Sequence, residues 1–235
     1  MLFKLPPDAI WQIFKATFFW AWFILKVFWP FWVVLIIFII YFKLKLPFLR
    51  GWAGERFVKQ QLAKLDQNEY KVLSNLLLPS KGVLKTTQID HVVISKAGIF
   101  CIETKAHSGW IYGDADQEYW ARYMFHVKEK FYNPLFQNHA HVLAIEDLIK
   151  PKYPQAKVFS LVIFTNAEKI KVSGTNSVGY CNKIIENIKS YVTPIFTDTE
   201  RDDAYQILSR ANVVDKQARG IHKQSIRDYK HSMGK

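Results

Sequence analysis

The sequence predicts an α/β domain with a mixed sheet, preceded by a single transmembrane helix. Three observations carry that reading. From Ala16 to Phe42 the chain is apolar apart from Lys26. After it, apolar segments follow in the order helix, strands, helix, strand, the pattern of helices packed on a sheet. Between them lies IDHVVISKAGIFCIETK, residues 89–105, a hairpin pattern whose strands carry Asp90, Glu103 and Lys105. Charged side chains in so apolar a setting cost free energy unless they are paired or bind metal.

The 235 residues are enough for one substantial domain plus appendages. Lys and Arg number 32 against 20 Asp and Glu, a formal net charge of +12 that favours nucleic acid or anionic lipid as partner. The two cysteines, Cys101 and Cys181, exclude a disulfide scaffold and a four-cysteine zinc ribbon, and they suit a reducing compartment.

Residues 1–15 form a short N-terminal segment and 16–42 the expected membrane span. As a helix that run is about 40 Å long at roughly 1.5 Å per residue, against about 30 Å of bilayer hydrocarbon. It spans with tilt. Pro30 is expected to kink it, Lys26 to snorkel, and Trp20, Trp22, Trp29, Trp32 and Tyr41 to occupy the interfaces. The alternatives are a cleaved signal peptide, a buried core helix or a re-entrant segment. The run is long for a signal peptide, and no small-residue cleavage site follows it. Lys4 and Lys15 precede the span, whereas Lys43, Lys45, Arg50, Arg56 and Lys59 follow it closely. That bias places the C-terminal domain in the cytoplasm.

Residues 43–50 read as a basic linker. GERFVKQQLAKL (54–65) reads as a helix with Val58, Leu62 and Leu65 in one stripe. Glu55 extends the stripe backwards, either to face the core side or to serve the helix dipole. YKVLSNLLLP (70–79) is a strand and SKGVLKTT (80–87) a polar loop. GWIYG (109–113) and EYWARYMF (118–125) are further strands. NPLFQNHAHVLAIEDLIK (133–150) opens a helix with Asn133 as N-cap and Pro134 at the first turn. KVFSLVIFT (157–165) is a buried strand. The remainder, 166–235, reads as a mostly helical extension, with helices over 181–191 and 198–212 and a basic tail from Asp215.

Ser95 to Gly98 makes a four-residue hairpin loop in which Gly98 takes a conformation other residues resist. Ile94 then pairs with Ile99, and Asp90 falls opposite Glu103. Directly opposed residues share a face, with Cβ atoms roughly 4.5–5.5 Å apart. Lys105, two residues beyond Glu103, shares that face. Two carboxylates so placed repel, and either one takes a proton or a cation sits between them. A hard divalent ion suits such oxygen ligands and keeps several waters, one of which it can activate towards phosphorus. A lysine alongside can orient that water or stabilise charge on phosphate. A plain ion pair at a strand end is the structural alternative.

From Gly51 to about Thr165 the chain resembles the nuclease-related domain family of the PD-(D/E)XK nuclease superfamily, whose relatives include restriction endonucleases. The residues that carry the resemblance are GWAGE (51–55), QIDHVVIS (88–95), GIFCIETK (98–105), GWIYG (109–113), Trp120 and NPLFQN (133–138). It implies a restriction-endonuclease-like αβββαβ core over 51–165. It implies that Asp90 and Glu103 bind Mg²⁺ or Mn²⁺ and that Lys105 acts at the attacking water. Glu55 would support the site from the first helix, and Gln137 from the later one. ETK fits the ExK element, while Ile89 stands where the superfamily motif has proline.

Other candidates rank lower. His139 and His141, two apart on a helix, do not share a face as metal ligands. His141 could flank Gln137, although a structural or solvent-facing role is expected. His91 points away from Asp90 as a structural residue. His107 is expected in an exposed loop near the site, and Cys101 in the core. The combined expectation is a membrane protein with a cytoplasmic metal-dependent nuclease domain acting on DNA, or else RNA. A non-catalytic nucleic-acid-binding module and a membrane-tethered interaction protein are the rivals.

Overall fold

The computed structural model describes residues 6–125 and 127–232. Lys4, counted among the flanking charges, and residues 233–235 of the tail lie outside them. The chain divides into two compact units, Met1–Arg50 and Gly51–Lys235.

Helix α1 runs from Pro7 to Leu62, with Pro30 and Pro47 inside it. The expected linker over 43–50 is therefore helical. Flanking helix removes the cost of nucleation, and KLKLPFLR needs only to propagate it. In the first unit the helix is long and apolar enough to cross a membrane. Its most apolar window has a mean hydropathy of 2.6, and none of that window is buried. Lys26 leans over Trp22, 4.7 Å from the ring centre.

The second unit is a mixed seven-stranded sheet with helices on both faces. Strands β1 (Lys71–Pro79), β2 (Thr86–Ser95), β3 (Gly98–Asp114), β4 (Tyr119–Met124) and β5 (Val127–Tyr132) form an antiparallel series in chain order. Helix α2 (Pro134–Ile149) then crosses to β6 (Val158–Ser173), which pairs parallel with the far edge of β3 and carries β7 (Val178–Tyr180). A 3-10 turn, Cys181–Lys183, leads into α3 (Ile184–Lys189), and α4 (Asp198–Ala211) and α5 (Lys216–Ser232) complete the chain. The helix, three strands, helix and strand of the αβββαβ core are all present, and β4 and β5 are inserted between its third strand and second helix.

The hairpin register follows the turn. Ser95 pairs with Gly98, Ile94 with Ile99, and His91 with Ile102. Gly98 has φ +135. Alternation then sorts the core. Val92, Ile94 and Cys101 pack with Val142, Ile145 and Leu208 from α2 and α4. Val93, Phe100 and Ile102 pack on the other face with Val58 and Leu62 of α1 and Ile184 and Ile188 of α3.

Three elements differ from the sequence reading. GWIYG is no separate strand but the second half of β3, continued through bulges between Lys105 and Trp110. Gly109, at φ +85, sits there because a Cβ would lie 2.3 Å from the Tyr123 carbonyl oxygen. Strand β6 continues past Thr165 to Ser173, so the expected helical extension begins as sheet. Strand β5, VKEKFY, is an additional edge strand.

Candidate active site

The long strand β3 shares one edge between two neighbours. Near its start it pairs with β2, as far as His91↔Ile102. Further along it pairs with β4, from Trp110↔Tyr123. Between those ladders β2 and β4 diverge, and residues 103–109 of β3 have neither as partner. Asp90 and Glu103 stand where this fork opens.

In the fork the Asp90 side chain stands in for the missing ladder. Its Oδ2 accepts the Thr104 backbone N–H at 2.8 Å. The neighbouring β1 residue, Asn75, has φ 56, and the β1–β2 ladder is interrupted opposite Asp90. Glu103 is buried, at 3% exposure. Its Oε1 accepts from Lys105 Nζ at 2.6 Å, and its Oε2 lies 3.3 Å from His141 Nε2. Lys105 Nζ also donates to Gln137 Oε1 at 2.7 Å, so the ammonium bridges β3 and α2.

The electrostatics separate the two carboxyls. Burial raises Asp90, Glu103 raises it further, and together they outweigh Thr104 N–H and push it to about 8. Burial also acts to raise Glu103, but Lys105 and His141 hold it below the usual glutamate value. Glu103 is therefore the charged member, and Asp90 holds its proton at neutral pH. Glu55 reaches the same group from α1, its carboxyl raised by burial and by Glu103. Gly54 makes room for that approach, since a Cβ there would lie 3.1 Å from both Ala106 Cβ and Thr165 Oγ1.

The structure thus brings Glu55, Asp90, Glu103, Lys105 and Gln137 together. His139 is exposed on α2. His91 turns to the opposite face, bonds Ser74 Oγ at 2.9 Å, and is pushed down to about 4, chiefly by burial. His107 corrects the loop expectation. It is half-buried in β3 with its ring 4.5 Å from Phe131, and burial with Arg122 and Lys105 lowers it to about 4.

Two histidines, one in the site and one next to it, carry little signal in the sequence. His141 is buried, its Nδ1 2.7 Å from Thr87 Oγ1. A carboxylate can only accept, so Glu103 favours a hydrogen on Nε2, and Nδ1 then accepts from the threonine. The i, i+4 spacing from Gln137 was the available signal. His222, bonded through Nδ1 to Thr86 Oγ1 at 2.9 Å, comes from α5 and had no local signal.

Residues 50–165 match the family described as the nuclease-related domain. An uncharacterised Bacillus anthracis protein, pXO1-01, is 36% identical over 181 residues, which cover 77% of this chain and 85% of the relative. The chain belongs to the nuclease-related domain family. A solved structure of a protein of unknown function, AF1548, aligns over 60% of this chain and 67% of its own, at 13% identity and a TM-score of 0.30.

The motif residues of the nuclease-related domain have visible local tasks. Gly113 lies under Trp120, where a Cβ would be 2.4 Å from the indole. Asn133 caps α2 by accepting from Leu135 N–H at 2.9 Å, and its amide donates to the Ala115 and Gln117 carbonyls. Asn138, fully buried, donates to the Cys101 and Leu161 carbonyls and Ser160 Oγ, locking α2 onto β3 and β6. Among the described residues no three His, Cys, Asp or Glu side chains converge as a metal cage. Two carboxyl groups, one charged and one kept protonated by burial and by its charged neighbour, fit a hard ion that takes few protein ligands and keeps its waters.

Proposed function

We propose that this chain is a membrane-anchored, metal-dependent nuclease that hydrolyses phosphodiester bonds, with DNA as first substrate and RNA as second. One observation carries the reading. Lys105 Nζ is held between Glu103 Oε1 at 2.6 Å and Gln137 Oε1 at 2.7 Å, beside an Asp90 carboxyl pushed to about 8. An ion pair serving stability alone has no use for two further carboxyls, Asp90 and Glu55, crowded against it.

Asp90 and Glu103 would hold Mg²⁺ or Mn²⁺, which when bound supplies Lewis-acid polarisation of water and of a phosphoryl oxygen. Lys105 has three N–H donors. Glu103 and Gln137 fix two of them, which leaves the third for a phosphate oxygen or a water. His141 keeps Glu103 charged and fixed in rotamer. Glu55 adds negative charge that favours cation entry. Affinity would come from basic residues on the nucleic-acid backbone and fall with salt. The span over 16–42 would hold the domain at the cytoplasmic membrane face, on the lysine and arginine bias beyond it.

The test is cleavage of DNA by the purified full-length chain in detergent, with Mg²⁺ against EDTA. Glu103→Ala is expected to lose metal affinity and rate together. Lys105→Ala is expected to keep metal binding by calorimetric titration while losing about 10²–10³-fold in rate. Lys105→Arg does not fully rescue, because a planar guanidinium does not replace a compact ammonium. Cleavage that persists equally in Glu103→Ala and Lys105→Ala would sink the assignment. DNA binding with neither metal uptake nor cleavage would hand the chain to the non-catalytic reading.

A further inference from the structure

Beyond the bulge at Gly109, β3 carries Trp110 and Tyr112 on the face opposite Ile111, which turns into the cluster with Trp120 and Phe164. Cross-strand register adds to this face. Trp110 pairs with Tyr123 of β4, and Tyr123 with Lys128 of β5. On the other side Trp110 pairs with Lys169 of β6, and Tyr112 with Lys171. The result is an open groove of about 950 Å³, lined among the described residues by strands and turns. Trp110 is 44% exposed and Tyr123 40%.

The chemistry of the face is repetitive. Each of three rings has its own ammonium: Lys169 lies 5.0 Å from Trp110, Lys171 5.5 Å from Tyr112, and Lys128 5.3 Å from Tyr123. Lysines therefore flank a central aromatic strip on both sides. The Asp114 carboxylate, at the end of the groove, is engaged by Ser173 Oγ. Glu129 is turned to the other face, where it pairs with Arg122.

We infer that this groove is a binding platform for single-stranded nucleic acid, distinct from the fork, in which bases stack on Trp110, Tyr112 and Tyr123 and the flanking lysines take phosphates. Exposed rings accept any base, and their lysines exchange a ring partner for a phosphate without leaving the face. A duplex offers such rings nothing, because its bases are already stacked on one another. The link to catalysis rests on the nuclease reading; the binding itself does not. On that reading the platform is a subsite that holds a strand whose scissile bond lies elsewhere along the same molecule.

The experiment is fluorescence anisotropy of labelled oligothymidylate with the full chain in neutral-lipid nanodiscs, in EDTA. Trp110→Ala and Tyr112→Ala are each expected to weaken binding by about 5–150-fold, the usual worth of one stacked base. Lys169→Gln with Lys171→Gln should flatten the salt slope by about 1.4, from two phosphate contacts on single strands. Thermal unfolding of the same variants checks that the fold is kept. Unchanged affinity in the Trp110→Ala/Tyr112→Ala chain overturns the proposal, as does tighter binding of duplex. Loss of phosphatidylserine vesicle binding in these variants, with oligonucleotide binding retained, would assign the face to lipid and also overturn it. Platform-dependent binding without Mg²⁺ cleavage leaves this inference standing and removes the nuclease reading; cleavage with an inert platform does the reverse.

Discussion

At Asp90 the fold holds a carboxyl near 8 that in an unfolded chain titrates near 3.8. The sign of the pH effect follows. Below about pH 4 both states carry the proton and the contribution to stability is complete. As pH rises towards 8 the unfolded chain ionises while the folded one does not, so stability is progressively lost. An asparagine in place of Asp90 would not titrate, and its side-chain oxygen can still accept the Thr104 N–H. Asp90→Asn is therefore expected to abolish cleavage yet stabilise the metal-free protein, by about 1–2 kcal/mol at pH 8 and less at pH 5. Urea midpoints at the two pH values measure it, and a destabilised variant at pH 8 would contradict the assigned cost of burying the Asp90 charge beside Glu103. For the same reason metal uptake near pH 7 is expected to release a proton, seen as buffer-dependent heat.

Among the elements, α2 positions two members of the site and is itself held by one amide. Asn138→Ala leaves the Cys101 and Leu161 carbonyls and Ser160 without that partner in a dry interface. A loss of about 2–4 kcal/mol is expected in chemical denaturation. A loss below about 0.5 kcal/mol, the range of ordinary surface substitutions, would mean that the amide is not the lock. The hairpin at the heart of the site was legible because SKAG sets register, and register alone brings Asp90 towards Glu103. The start of α2 was legible because Asn-Pro is a local signal. Strand β5 was not, since VKEKFY opens on a run of Lys, Glu and Lys, the charge an edge strand carries, with no apolar alternation through it. The helical path of 43–50 was hidden by Pro47 and Gly51, whose local preferences lost to the helix on either side. The fork itself had no sequence signal. It exists because two strands leave one edge of a third, a fact about pairing partners far apart in the chain.

On the scale of the whole chain, charge and hydropathy divide at the first unit. The span over 16–42 and the basic residues from Lys43 to Lys59 predict a single crossing with the second unit in the cytoplasm. A reporter at the C-terminus should behave as cytoplasmic, and the chain should resist extraction by high salt. An extracytoplasmic reporter would reverse the orientation, and salt extraction would remove the span. The pairing of β3 with β6 has a consequence in time. Every side chain assigned to the centre, from Glu55 to His141, precedes Val158, yet Glu103 and Lys105 gain their parallel partners, Val162 and Phe164, only when β6 arrives. Non-local parallel pairing forms slowly, because the loop must close before the contacts repay it. A chain emerging from the ribosome thus carries all the chemistry of the centre before it has the centre. Until β6 docks, one edge of its longest strand stays open to other chains.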